Sequence, residues 1–136
     1  MSELVTGRIG ELIVALRLEE IGVRTGMCPV GAFDMIASYN GKIYRIQVKA
    51  RTKPDPSRPT HYMWATAKGG KKSPLDTSDC DIVALVSVPH ENVFFMPVVR
   101  TMNVTKRLRV NLFEDRGIAP ATWTRAIIDL ENFVGS

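Results

Sequence analysis

The chain has 136 residues, a length that favours one domain spanning residues 1–136, because two separate cores would each lie near the lower limit for stable burial. With 45% hydrophobic and 24% charged residues the composition is globular, which excludes disorder and fibrous repeats, while a net charge of +4 is too small by itself to mark a polyanion binder. Two cysteines are too few for a disulfide framework, no run approaches the roughly 18 apolar residues of a membrane span, and Glu3, Arg8 and Glu11 interrupt any leader-like core, so a soluble cytoplasmic protein without membrane association is expected.

In chain order, residues 3 to 21 read as a helix whose buried face carries Val5, Ile9, Leu12, Ile13 and Leu16, with Gly22 as its stop. GMCPVGAF is a turn-rich entry into two strands, FDMIASY and KIYRIQVKA. Asn40-Gly41 joins them, the strongest short hairpin signal, because a type I′ turn needs positive φ at both central residues. RTKPDPSRPT, with three prolines, is a loop, HYMWATA a third strand and KGGKKSP a mobile basic loop. DIVALVSV is apolar enough for a strand buried on both faces, and NVFFMPVV is a strand that Pro97 places at an edge or an end. TKRLRVNLF is ambiguous. Pro120 to Phe133 repeats Trp123, Ile127, Leu130 and Val134 at helical spacing. A helix, several strands and a second helix without internal repeat or linker make a sheet-centred α+β core.

The charge is concentrated rather than spread. From Lys42 to Lys72 there are nine basic residues and one acid, Asp55, so this segment carries +8 and the remaining 105 residues carry −4. A concentrated basic field is what a polyanion requires, because each neutralised phosphate releases condensed counterions.

If Asn40 and Gly41 are the loop residues, facing pairs across the hairpin have numbers that sum to 81, so Asp34 faces Gln47. Opposed residues project to the same side with Cβ atoms about 5 Å apart, and Lys49, two residues beyond Gln47, shares that side. A carboxylate, an amide and an ammonium therefore gather on one sheet face, while Phe33, Met35, Tyr44, Ile46 and Val48 take the core face. A carboxylate beside a second oxygen donor suits Mg²⁺, and a nearby lysine can stabilise charge developing on phosphorus or orient a water. Glu11, one turn after Gly7, is a further candidate, since glycine there would let the helix approach the sheet or a phosphate closely. Taken singly, each of these residues is also explained by a solvated polar surface.

The stretches GRIGELIVALRLEEIG and GAFDMIASYNGKIYRIQVKART resemble the PD-(D/E)XK nuclease superfamily, whose signature is an acid at the start of a hairpin followed by (D/E)-x-K on the next strand. Here the acid is Asp34, the x-K portion is Val48-Lys49 and the glutamate of the preceding helix is Glu11. Gln47 departs from the commonest pattern, as in the branch that includes group I intron-encoded homing endonucleases. HYMWATAK followed by DCDIVALVSVPHENVFFMPV resembles the family's continuation. The resemblance implies a restriction-endonuclease-like core, a central mixed sheet flanked by helices, and a metal-dependent DNA endonuclease with water as nucleophile. It implies Asp34, Gln47 and the backbone carbonyl of Val48 as ligands of Mg²⁺, with Mn²⁺ as substitute. Lys49 would act on the scissile phosphate or the water, and Glu11 would bind metal or position water. A Holliday junction resolvase and a DNA-binding relative without catalysis are the alternatives.

Around this motif Arg45, Arg51, Lys53, Lys68, Lys71 and Lys72 are candidate contacts to double-stranded or branched DNA, with a solvated surface as the alternative. Tyr62 and Trp64 suit the core better than base stacking. His61 and His90 have no partner at zinc-ligand spacing, Cys28 and Cys80 read as inert thiols, and KGGKKS lacks the spacing of a phosphate loop. So small a domain would need a homodimer or homotetramer to recognise a long site.

Overall fold

A computed structural model describes residues 1–28, 33–68 and 73–134. Helix α1 (Glu3–Glu19) starts where the Ser2 hydroxyl accepts the Val5 N–H, and ends at Gly22, whose φ of +84° few side chains tolerate. The hairpin follows as β2 (Met35–Tyr39) and β3 (Lys42–Arg51), preceded by β1 (Arg24–Met27). Asn40 and Gly41 have φ of 51° and 78°, and the pairs Met35 with Ile46 through Tyr39 with Lys42 reproduce the expected register.

Strand β7 (Ile82–Ser87) is buried at every residue and runs parallel to β3, and β8 (Asn92–Pro97) closes the sheet at an edge. The mixed five-stranded order is β1-β2-β3-β7-β8. Its first face is covered by Ile13, Val14 and Leu18 of α1 and by Trp123, Ala126 and Ile127 of α2 (Ile118–Val134), packed on Met35, Tyr44, Ile46, Ala84 and Phe95. The second face carries Val83 and Leu85 under a two-stranded ribbon of β4 (His61–Ala65) and β9 (Thr105–Arg109), with Tyr62, Trp64 and Phe113 as its largest buried side chains. The ambiguous TKRLRVNLF thus divides into β9 and a 3₁₀ turn, Val110–Glu114. A short pair, β5 (Ala67–Lys68) with β6 (Ser73–Pro74), completes the described strands. Both helices flank the same face, and β7 is apolar throughout because each of its faces meets a separate cluster.

Three expectations are corrected. Val5, Leu12 and Leu16 are 48%, 52% and 49% exposed, and α1 buries Gly10, Ile13, Val14 and Leu18 instead. The helix carries two apolar stripes, and the sheet accepts the one that contains a glycine. That glycine is Gly10, not Gly7: a Cβ at Gly10 would lie 2.7 Å from the Ala50 Cβ, whereas one at Gly7 would meet nothing within 4 Å. Phe33 precedes β2 and packs with the second cluster, its ring 6.0 Å from the Arg45 guanidinium, so it does not share the Met35 face.

Candidate active site

Asp34 stands at the mouth of the hairpin. Its N–H donates to the Ile46 carbonyl at 2.8 Å and its carbonyl accepts the Cys28 N–H at 2.9 Å, which fixes the backbone beside β3. Its carboxylate Oδ2 accepts the Val48 N–H at 2.8 Å, taking the place of a strand that begins only at Met35. N–H and C=O of one strand residue leave on the same edge, so the Val48 carbonyl opens on the edge of β3 where Asp34 stands.

Gln47 lies beside Val83 on the sheet face opposite α1, and its Oε1 is buried with no hydrogen-bond partner among the described residues. A buried oxygen without a donor costs about 1–3 kcal/mol, so an electropositive group is the expected neighbour. Lys49, on the same face, donates from Nζ to the Ala67 carbonyl of β5 at 3.2 Å. Burial pulls its ammonium below the ordinary lysine range, and the Asp34 carboxylate and Cys80 partly oppose this. Asp34, Gln47 and the Val48 carbonyl are all oxygen donors, the set a hard cation such as Mg²⁺ prefers, and the orphaned Gln47 oxygen fits one. Among the described residues no group of three or more His, Cys, Asp or Glu could hold a metal ion, and the donors gathered here are one carboxylate, Asp34, and the neutral oxygens of Gln47 and Val48.

The other sequence candidates are placed as follows. Glu11 is part-buried on α1 and accepts from Arg8 Nη1 at 3.2 Å; its helix rests on the Val48 and Ala50 side of β3, the face opposite Gln47 and Lys49. Arg45 is engaged within the protein: Nε and Nη2 donate to the Asp81 carboxylate, Nη1 to the Ser78 carbonyl and Nη2 to the Thr77 carbonyl. Arg51 and Lys53 line a cleft of about 530 Å³ with Lys49 and the first turns of α1. Lys68 belongs to β5, and Lys71 and Lys72 lie outside the described residues. Tyr62 and Trp64 are core residues, each 1% exposed, and burial pushes the Cys80 thiol up to about 12, as expected of an inert cysteine.

Sequence reasoning missed Asp81, whose carboxylate also accepts the Arg45 N–H at 2.7 Å and so fixes β3 beside the start of β7. Its only signal was an acid directly before a buried strand. The Ala67 carbonyl, which holds Lys49, had no signal, because a backbone group is invisible to residue type.

An acid at a hairpin mouth bound to the adjoining strand, with a glutamine and a lysine two residues apart on that strand, all on a mixed sheet backed by helices, is the arrangement of a nuclease core. The chain belongs to the PD-(D/E)XK endonuclease family, whose model matches residues 1–123. In fold it is similar to a bacterial homing endonuclease, I-Ssp6803I, with a TM-score of 0.65 at 14% identity over 96% of this chain and 98% of that one. The comparison with curated proteins finds no match. Among the described residues no helix is long and apolar enough to cross a membrane.

Proposed function

We propose that this endonuclease is a divalent-metal-dependent DNA hydrolase of the homing kind, with residues 1–136 acting as one nuclease domain. The orphaned, buried Gln47 Oε1, one residue before the Val48 N–H that the Asp34 carboxylate binds, carries the reading. Asp34, Gln47 and the Val48 carbonyl would hold Mg²⁺, or Mn²⁺ in its place, and Glu11, whose helix lies on the other face of β3, would position water by leaving Arg8 and reaching past the strand. When bound, the ion neutralises charge at the scissile phosphate and acidifies a water. Lys49 contacts that phosphate or the attacking water. Its burial lowers the cost of giving up a proton and strengthens its interaction with an oxyanion. Asp34 keeps one oxygen on the Val48 N–H, so the donor set is oriented before substrate arrives.

Arg51, Lys53, Lys68, Lys71 and Lys72 supply the DNA contacts, with Arg45 bracing the strand that presents them. A second copy of the chain extends the footprint. The exposed Val5, Leu12 and Leu16 of α1 support this, since they leave apolar surface on one helix uncovered within the chain.

The test is cleavage of linear duplex, supercoiled plasmid and a four-way junction with Mg²⁺ or Mn²⁺, beside Asp34→Ala and Lys49→Ala. Duplex or plasmid cleavage lost in both variants is expected. Cleavage surviving both sinks the site, a preference for the junction identifies a resolvase, and binding without any cleavage identifies a DNA-binding relative.

A further inference from the structure

Five arginines in the described residues have carboxylate partners: Arg8 with Glu11, Arg17 with Glu20, Arg45 with Asp81, Arg107 with Asp55 and Arg125 with Asp129. Arg51 is set apart by burial: its Nε is buried with no acceptor among the described residues, and the residue lines the cleft of about 530 Å³ between the end of β3, β4 and the first turns of α1. Lys49 and Lys53 line the same cleft, and Glu3 at the helix start is the one carboxylate in its described lining. The cleft exists because Gly10 lets α1 rest on Ala50, which brings Thr6 and Gly7 over the strand end. Neither Asp34 nor Gln47 lines it, and Lys49 belongs to both places.

A buried guanidinium nitrogen with a proton to donate and no acceptor, set among cations, calls for an anion. We propose that this cleft is a second anion subsite, which takes the backbone phosphodiester next to the scissile one. Arg51 and Lys53 bind it, and Lys49 stands between the two phosphates. This deepens the nuclease reading and rests on it for the identity of the neighbouring phosphate. Same-face residues two apart on a strand are separated by about 6.6 Å, so Lys49 and Arg51 meet successive phosphates of one strand without bending either chain. The geometry also sets a direction: one DNA strand runs along β3 from Asp34 toward Lys53.

The experiment is metal-free. Anisotropy of a fluorescent random-sequence duplex is titrated with the full-length protein in EDTA across a salt series, for the wild type, Arg51→Gln, Lys53→Gln, Arg51→Lys and Arg125→Gln. Arg51→Gln and Lys53→Gln should each weaken binding and lower the slope of log K against log salt by about 1, Arg51→Lys should recover the slope, and Arg125→Gln should match wild type. Inorganic phosphate should compete with the duplex less well for Arg51→Gln than for wild type. Slopes unchanged in both glutamine variants overturn the subsite. If Arg51→Gln fails to fold by circular dichroism, the slope of Lys53→Gln decides alone. Arg51-dependent binding without cleavage would overturn the nuclease reading and keep the anion site, whereas cleavage with wild-type slopes would do the reverse.

Discussion

Gln47 stands where an amide or a carboxylate on the same two-methylene side chain decides charge, and its neutrality matters because Oε1 is buried without a donor among the described residues. Gln47→Glu would bury a carboxylate where Oε1 finds no donor, so the variant should lose about 1–3 kcal/mol of stability in EDTA and regain it with Mg²⁺ or Mn²⁺, read as the melting temperature in each condition. A variant indifferent to metal would count against the oxygen set. Lys49 presents the opposite case, a cation held where burial disfavours its charge. Because its pKa is lowered on folding, the native state binds the proton less well than the unfolded chain, and charged Lys49 weakens the fold at neutral pH. Lys49→Met should therefore raise the melting temperature by a few degrees while cleavage disappears, as at sites where function opposes stability. A lower melting temperature would show instead that the Ala67 contact stabilises the fold.

At the scale of elements, Gly10 and Gly7 separate packing from propensity. Gly10→Ala should destabilise by about 1–3 kcal/mol, because its methyl group meets a Cβ that cannot swing away. Gly7→Ala should stabilise by about 0.5–1 kcal/mol, since alanine favours the helix and nothing stands in its way. Denaturant titration of both variants checks the contrast, and equal effects would contradict the close approach at Ala50. The proline-rich loop after β3 is tied down by Asp55, which accepts from the Ser57 N–H at 3.0 Å and hydroxyl at 2.9 Å and faces Arg107 of β9. These hydrogen bonds, then Arg107, hold its carboxyl below the ordinary 3.8. A carboxyl lowered on folding contributes fully above its unfolded value and loses that contribution as pH falls through its folded one. Asp55→Asn should thus show a shallower loss of stability than wild type below about pH 4. An unchanged acid profile would remove Asp55 from that role.

For the whole molecule, the outward stripe of α1 sets the question of assembly. Val5, Leu12 and Leu16 are about half exposed on one helix, and a two-fold pairing of that helix with its copy would bury the same residues on both sides. Sedimentation velocity should show a dimer or tetramer for the wild type and a shift toward monomer for Leu12→Glu with Leu16→Glu. A monomeric wild type would return DNA recognition to a single domain. The same stripe explains why the buried face of α1 was misread: periodicity finds both stripes, and only the sheet that packs on Gly10 distinguishes them.

The sequence by itself determined what depends on neighbours along the chain. The Asn40-Gly41 turn set the hairpin register from Met35 to Ile46, because positive φ at two adjacent residues leaves a single tight connection, and strand alternation put Gln47 and Lys49 on one face of β3, while Asp34 reached that strand through the Val48 N–H rather than through the ladder. The unbroken apolar run of β7 announced a strand covered on both sides. Tertiary structure alone decided what depends on residues far apart: the pairing of β4 with β9, the choice of stripe on α1, the capture of Arg45 by Asp81 and the cleft that leaves Arg51 without an acceptor. A pattern in the chain records which side chains share a face, but not which partner from another element will fill or neutralise it.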